Sequence, residues 1–166
     1  LLGLDELSSQ IVSLRKTFVN YKDFAGKPID ALFEKSVLDK ATILEVTELK
    51  SGYLENTEGK FRFVPFSDEL QVSPITAFVS HDFDGDGQED VLVGGNYFGT
   101  TPFHGRFDSF PGALISSKND IILGDDLGLD LTQKSVRHLH VLTVDESDYL
   151  LVTFNNEKLK IYKLRN

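Results

Sequence analysis

Apolar residues change their spacing once along this 166-residue chain, near Lys40. Before that point they recur in steps of three and four. Leu4, Leu7, Ile11, Leu14 and Phe18 fall on one stripe, which predicts an amphipathic helix over residues 4–21. Asp5 stands in its first turn, where a carboxylate meets the positive end of the helix dipole. The stretch YKDFAGKP interrupts the stripe, and Pro28 suits the first turn of a second helix, residues 28–40, with Ile29, Leu32, Phe33 and Val37 inward. Residues 1–41 therefore read as a helical hairpin packed on a neighbouring sheet.

After Ala41 the period becomes alternating. Strands are predicted at residues 42–49, 52–56, 60–65, 75–80, 90–94, 112–116, 120–123, 136–144, 149–154 and 158–164. NTEGK (56–60) and NNEK (155–158) read as hairpin turns. Closely spaced strands of this kind make an antiparallel meander, so the class is mainly β over residues 42–166. GYLENTEGKFRFV (52–64) and GALISSKNDIILG (112–124) share a layout of glycine, short strand, polar turn and second strand.

Charge narrows the partners. Twenty-six acidic and 17 basic residues give a net charge of −9, which disfavours nucleic acid and suits a chain that holds cations. There is no cysteine, so disulfides and thiolate metal sites are excluded. No stretch has the length and apolarity of a membrane span. The chain opens on Leu1 without a visible signal peptide, which reads as a fragment or a processed piece.

Most of the chemistry lies in HDFDGDGQED, residues 81–90. Asp82, Asp84 and Asp86 alternate, Gly87 stands sixth, and Asp90 stands ninth. Calcium takes six to eight oxygens, and a tight loop aims alternate carboxylates at one centre. Gly87 supplies the sharp reversal, the peptide oxygen of Gln88 the seventh-position ligand, and Asp90 the closing carboxylate. Without a cation the acids would repel one another. The twelfth position is Val93 and the flanks are β-like, so the loop is not an EF-hand. LGDDLGLDL (123–131) and VDESD (144–148) lack the alternate spacing, which leaves one calcium site.

ITAFVSHDFDGDGQEDVLVGGN (75–96) resembles the FG-GAP/VCBS repeat, the blade unit of integrin-α-like β-propellers. GYLENTEGKFRFVP looks like the outer hairpin of the preceding blade, and residues 8–115 are similar to the C-terminal part of large bacterial VCBS-repeat proteins. The resemblance implies a partial propeller of two to three four-stranded blades behind the helical hairpin, with Ca²⁺ held by Asp82, Asp84, Asp86, the Gln88 carbonyl and Asp90. It also implies an exported module (extracellular, cell-surface or periplasmic) that binds or scaffolds a protein or glycan partner. Too few strands are present to close a ring, so association with further blades or with copies of itself is expected.

The 96–112 segment is long for a hairpin connection and carries Tyr97, His104, Arg106 and Asp108 among phenylalanines. It reads either as a ligand loop, with the chain then an accessory or catalytic domain of a carbohydrate-active enzyme, or as packing with an Arg106–Asp108 pair. His138 and His140 alternate on one strand, but zinc needs a third protein ligand and none is spaced for it. His81, beside the ladder, reads as a packing residue. No nucleophile elbow, phosphate loop or HExxH is present, so no catalytic motif supports an enzyme.

Overall fold

The computed structural model describes residues 3–164 and divides into two compact units, Leu1–Thr47 and Glu48–Asn166. Among the described residues no helix is long and apolar enough to cross a membrane.

The first unit carries five short helices where the stripe predicts two: α1 Leu4–Gln10, α2 Leu14–Thr17, α3 Tyr21–Phe24, α4 Ile29–Leu32 and α5 Lys35–Leu38. The Glu6 carboxylate accepts the Gly3 N–H at 2.8 Å and starts α1. Ser8 and Ser9 then donate their hydroxyls to the carbonyls of Asp5 and Glu6, and β-branched Ile11 and Val12 follow, so α1 stops at Gln10. The second expected helix breaks at Phe33, whose backbone is extended. The stripe still finds its core: Leu4, Leu14 and Phe18 are buried together, with Leu7, Phe24, Leu32 and Phe33 against them. Ile29 and Val37, expected inward, are exposed. Helices of four residues persist through such packing rather than through propensity.

Nine of the ten expected strands form, in three antiparallel sheets. The first sheet pairs β1 Gly52–Thr57 with β2 Lys60–Pro65. The second has the order β3 Ile75–His81, β4 Asp90–Gly95, β5 Ala113–Ile115, β6 Ile121–Leu123. The third has the order β7 Val136–Val144, β8 Ser147–Phe154, β9 Lys160–Lys163. Residues 42–49 are the exception: despite their alternation they join no ladder among the described residues. The NTEGK turn closes Thr57 on Lys60 across Glu58 and Gly59, both at positive φ, the geometry that matches strand twist. The two segments of shared layout, 52–64 and 112–124, both form antiparallel hairpins. Among the described residues the sheets do not close into a ring.

The second and third sheets pack face to face. Ala77, Leu92, Leu114 and Leu131 meet Val136, Leu139, Leu150 and Val152 in one core. Gly94 makes this approach possible, because a Cβ there would lie 3.0 Å from a Val136 methyl. On the opposite face of the second sheet Val93 and Ala113 pack against Leu70 and Phe110. β4 is thus buried on both faces.

Asn96 follows β4 and is completely buried. Its Nδ2 donates to the carbonyls of Phe110, Leu131 and Lys134 at 2.9–3.1 Å, and its Oδ1 accepts the Phe110 N–H at 3.0 Å. It sits at φ 75°, a region asparagine tolerates. Asn96→Ala should lower unfolding free energy by about 3 kcal/mol, from stranded backbone groups plus backbone strain. Asn96→Gly should recover about 1 kcal/mol of that by relieving the strain alone. Denaturant unfolding measures both; equal losses would remove the strain contribution.

Candidate metal site

The site begins where β3 ends. Phe83 carries the chain out of the sheet, packed edge-on to His81 at 5.2 Å between ring centroids. His81 turns toward the third sheet, with Nε2 3.3 Å from Asp148 Oδ2, and so packs as the sequence suggests. Residues 82–89 then form the acidic turn, and Asp90 opens β4 opposite His81.

Backbone amides organise this turn. Asp82 Oδ1 accepts the N–H groups of Gly85 and Asp86, and Oδ2 that of Gly87. Asp84 Oδ1 accepts the Asp86 amide at 3.0 Å, and Asp86 Oδ1 the Gln88 amide at 2.9 Å. Gly85 and Gly87 both take positive φ, at 78° and 82°, which lets the peptide N–H groups turn inward. The result draws Asp82, Asp84 and Asp86 together, with one ligand atom from each lying within 4.8 Å of the others.

The donor set is all carboxylate oxygen, the choice of a hard cation such as Ca²⁺, Mg²⁺ or Mn²⁺ over Zn²⁺ or Cu²⁺. A carboxylate oxygen that accepts one amide retains lone-pair capacity for a metal. Asp84 and Asp86 are exposed and Asp82 half-buried, so an ion reaches them from solvent. Lys118, from the β5–β6 turn, places Nζ 3.1 Å from Asp86 Oδ2. The Gln88 amide and this ammonium hold the Asp86 carboxyl below its ordinary value, and Asp86 in turn raises Lys118.

Asp90 stands apart from this cluster. It is completely buried, and its two oxygens accept the N–H groups of Phe83 at 3.0 Å and Ser117 at 2.9 Å. In this structure it ties both ends of the turn to the β5–β6 connection. Gln88 is exposed at the far side of the turn, with its amide on Asp86. Lys118 and Ser117 were not signalled by the sequence; both lie about thirty residues from the ladder and reach it only through sheet pairing.

The other candidates separate. In the 96–112 segment Tyr97 and Phe107 form a two-residue bridge, and Pro102–His104 makes a 3₁₀ turn whose Phe103 is exposed. Arg106 pairs with Asp108 at 2.9 Å and lies over the Phe98 ring, while His104 Nδ1 meets the Thr101 hydroxyl at 2.7 Å. The polar groups of this loop are thus engaged with one another. His138 and His140 are both exposed on β7, and among the described residues no third ligand gathers with them. No known family model, curated protein or solved structure matches the chain.

The split between Asp90 and the cluster is measurable. In metal-free buffer Asp84→Ala should change stability by less than about 0.5 kcal/mol, as at an ordinary surface site. Asp90→Ala should cost about 2–4 kcal/mol in the same buffer, because two buried amides lose their acceptor. Urea unfolding of both variants in chelator provides the comparison.

Proposed function

We propose that residues 48–166 are part of a calcium-binding β-propeller of the FG-GAP/VCBS type, serving as a binding or scaffold module of an exported or surface-exposed protein. The observation that carries this reading is the convergence of Asp82, Asp84 and Asp86 on a turn between two adjacent antiparallel strands. Three further features support it. The second sheet is a four-stranded up-and-down unit of the size of one blade. Its second strand, β4, is apolar and covered on both faces, as a blade between neighbours requires. The β1–β2 and β5–β6 hairpins repeat one sequence layout, as the outer hairpins of successive blades would.

In this reading the three carboxylates hold Ca²⁺, with the Gln88 carbonyl and water as further oxygens. The ion supplies positive charge that relieves repulsion in the turn. Asp90 acts from behind, fixing the turn on β4 rather than coordinating. Only the folded turn assembles the ligands, so the ion stabilises by mass action. Dissociation constants of about 10⁻⁴–10⁻³ M are typical of extracellular modules, and a site with few full ligands belongs there.

Calcium at a few times such a constant should raise the melting temperature by a few degrees, and EDTA should reverse the rise. Asp84→Ala should remove the response while leaving the metal-free melting temperature in place. Identical melting in calcium and in chelator would overturn the reading. Lys118→Met removes a cation that competes for Asp86, so its calcium affinity by isothermal titration should be several-fold tighter than that of the parent chain.

A further inference from the structure

We infer that residues 42–49 of one copy of this chain add as a strand to the open edge of β9 in a second copy. The segment reads TILEVTEL, with the alternation of a strand. Among the described residues no backbone hydrogen bond reaches positions 42–48, and Ile43, Leu44, Val46 and Leu49 are 86%, 89%, 72% and 88% exposed. Four large apolar side chains on an unpaired strand-forming stretch are an invitation to edge pairing.

Charge selects the acceptor. The segment carries Glu45 and Glu48 and no cation. Residues 158–163 carry Lys158, Lys160 and Lys163 and no acid, and none of these lysines has a salt-bridge partner among the described residues. Among the described residues β9 pairs only with β8, which leaves its other edge open there. β2 is also basic, but its Arg62 is tied to Glu55 at 2.8 Å, whereas among the described residues the β9 lysines make no salt bridge, Lys163 lying over the Tyr149 ring.

Packing agrees with charge. Tyr162 and Leu164 face the core shared by the second and third sheets, and Ile161 and Lys163 face outward. Beside Tyr162 and Leu164 lies an apolar cavity of about 540 Å³ between the two sheets, reaching Phe83, Leu127 and Leu129. Leu44 and Val46 share one face of the incoming segment, and Glu45 lies on the other. Docked with Leu44 and Val46 toward the cavity, the segment extends the core, sets Glu45 on the outward side with Lys163, and sets Glu48 on the same side as Lys160. Main-chain bonds then supply affinity and the two side chains supply register. Donor and acceptor are different surfaces, so the contact is heterologous and builds either a closed ring or a longer chain of copies.

Sedimentation velocity across a concentration series tests this. The parent chain should pass from one copy to multiples with rising concentration. Glu45→Lys/Glu48→Lys and Lys160→Glu/Lys163→Glu should each weaken association by about tenfold or more. Mixing the two reversed chains should restore it, since each edge then meets an opposite charge. All four positions are exposed, and far-UV circular dichroism checks that each variant folds. A single copy at every concentration overturns the inference. So does association that neither reversal weakens, or weakened association that the mixture fails to restore. The calcium response of melting is independent of these variants, so failure here leaves the metal reading standing.

Discussion

The burial of β4 on both faces is the constraint from which the site follows. Leu92 points into the core shared with the third sheet, and Val93 into the opposite core with Phe110 and Leu70. A slip of one residue would exchange the two faces and drive Asp90 out of its amide contacts. The strand is therefore held in one register, and both its ends are finished by fully buried polar side chains, Asp90 and Asn96. Each of these fixes a loop: Asp90 the acidic turn and Asn96 the 96–112 segment. Apolar packing sets the register, and the register places the polar groups.

The acidic turn is shaped by its own backbone amides. Asp82 alone accepts three backbone amides, which spreads its charge over the turn's N–H dipoles. This reduces the cost of bringing three carboxylates together and leaves the turn organised rather than collapsed. A cation held by this cluster would need little further ordering of the turn. Asp90 is not gathered with the other three carboxylates in this conformation, and its oxygens satisfy two amides beneath the turn.

Much of the β architecture was legible in the sequence because alternation and turn chemistry are local. NTEGK forms the expected hairpin turn, and the close grouping of Asp82, Asp84 and Asp86 followed from their alternate spacing. The failures have identifiable causes. Residues 42–49 have strand composition, but a strand needs a partner edge, which composition does not report. The helical stripes marked Leu4, Leu14 and Phe18 as core, but misplaced Ile11, Ile29 and Val37 and gave the helix lengths wrongly, since serine back-bonding and β-branched residues cut α1 short without moving Leu4, Leu14 or Phe18 out of the core. The roles of Asp90, Ser117 and Lys118 depend on how β4 and β5 pair, a non-local fact. The propeller-type closure implied by the resemblance concerns strands beyond these three sheets.

The charge balance of the turn bears on which ion it would favour. Asp82, Asp84 and Asp86 contribute three negative charges at the cluster, and Lys118 contributes one positive charge on Asp86. Asp90 is not gathered with these three and is left out of this sum. The remainder is two negative charges, which a divalent cation neutralises and a monovalent one does not. Displacement of Lys118, whose side chain is 66% exposed and free to swing into water, would raise the remainder to three and strengthen the hold on a divalent ion. The lysine is therefore placed to compete with any cation held by the three carboxylates, and the amide network shapes the turn independently of that competition.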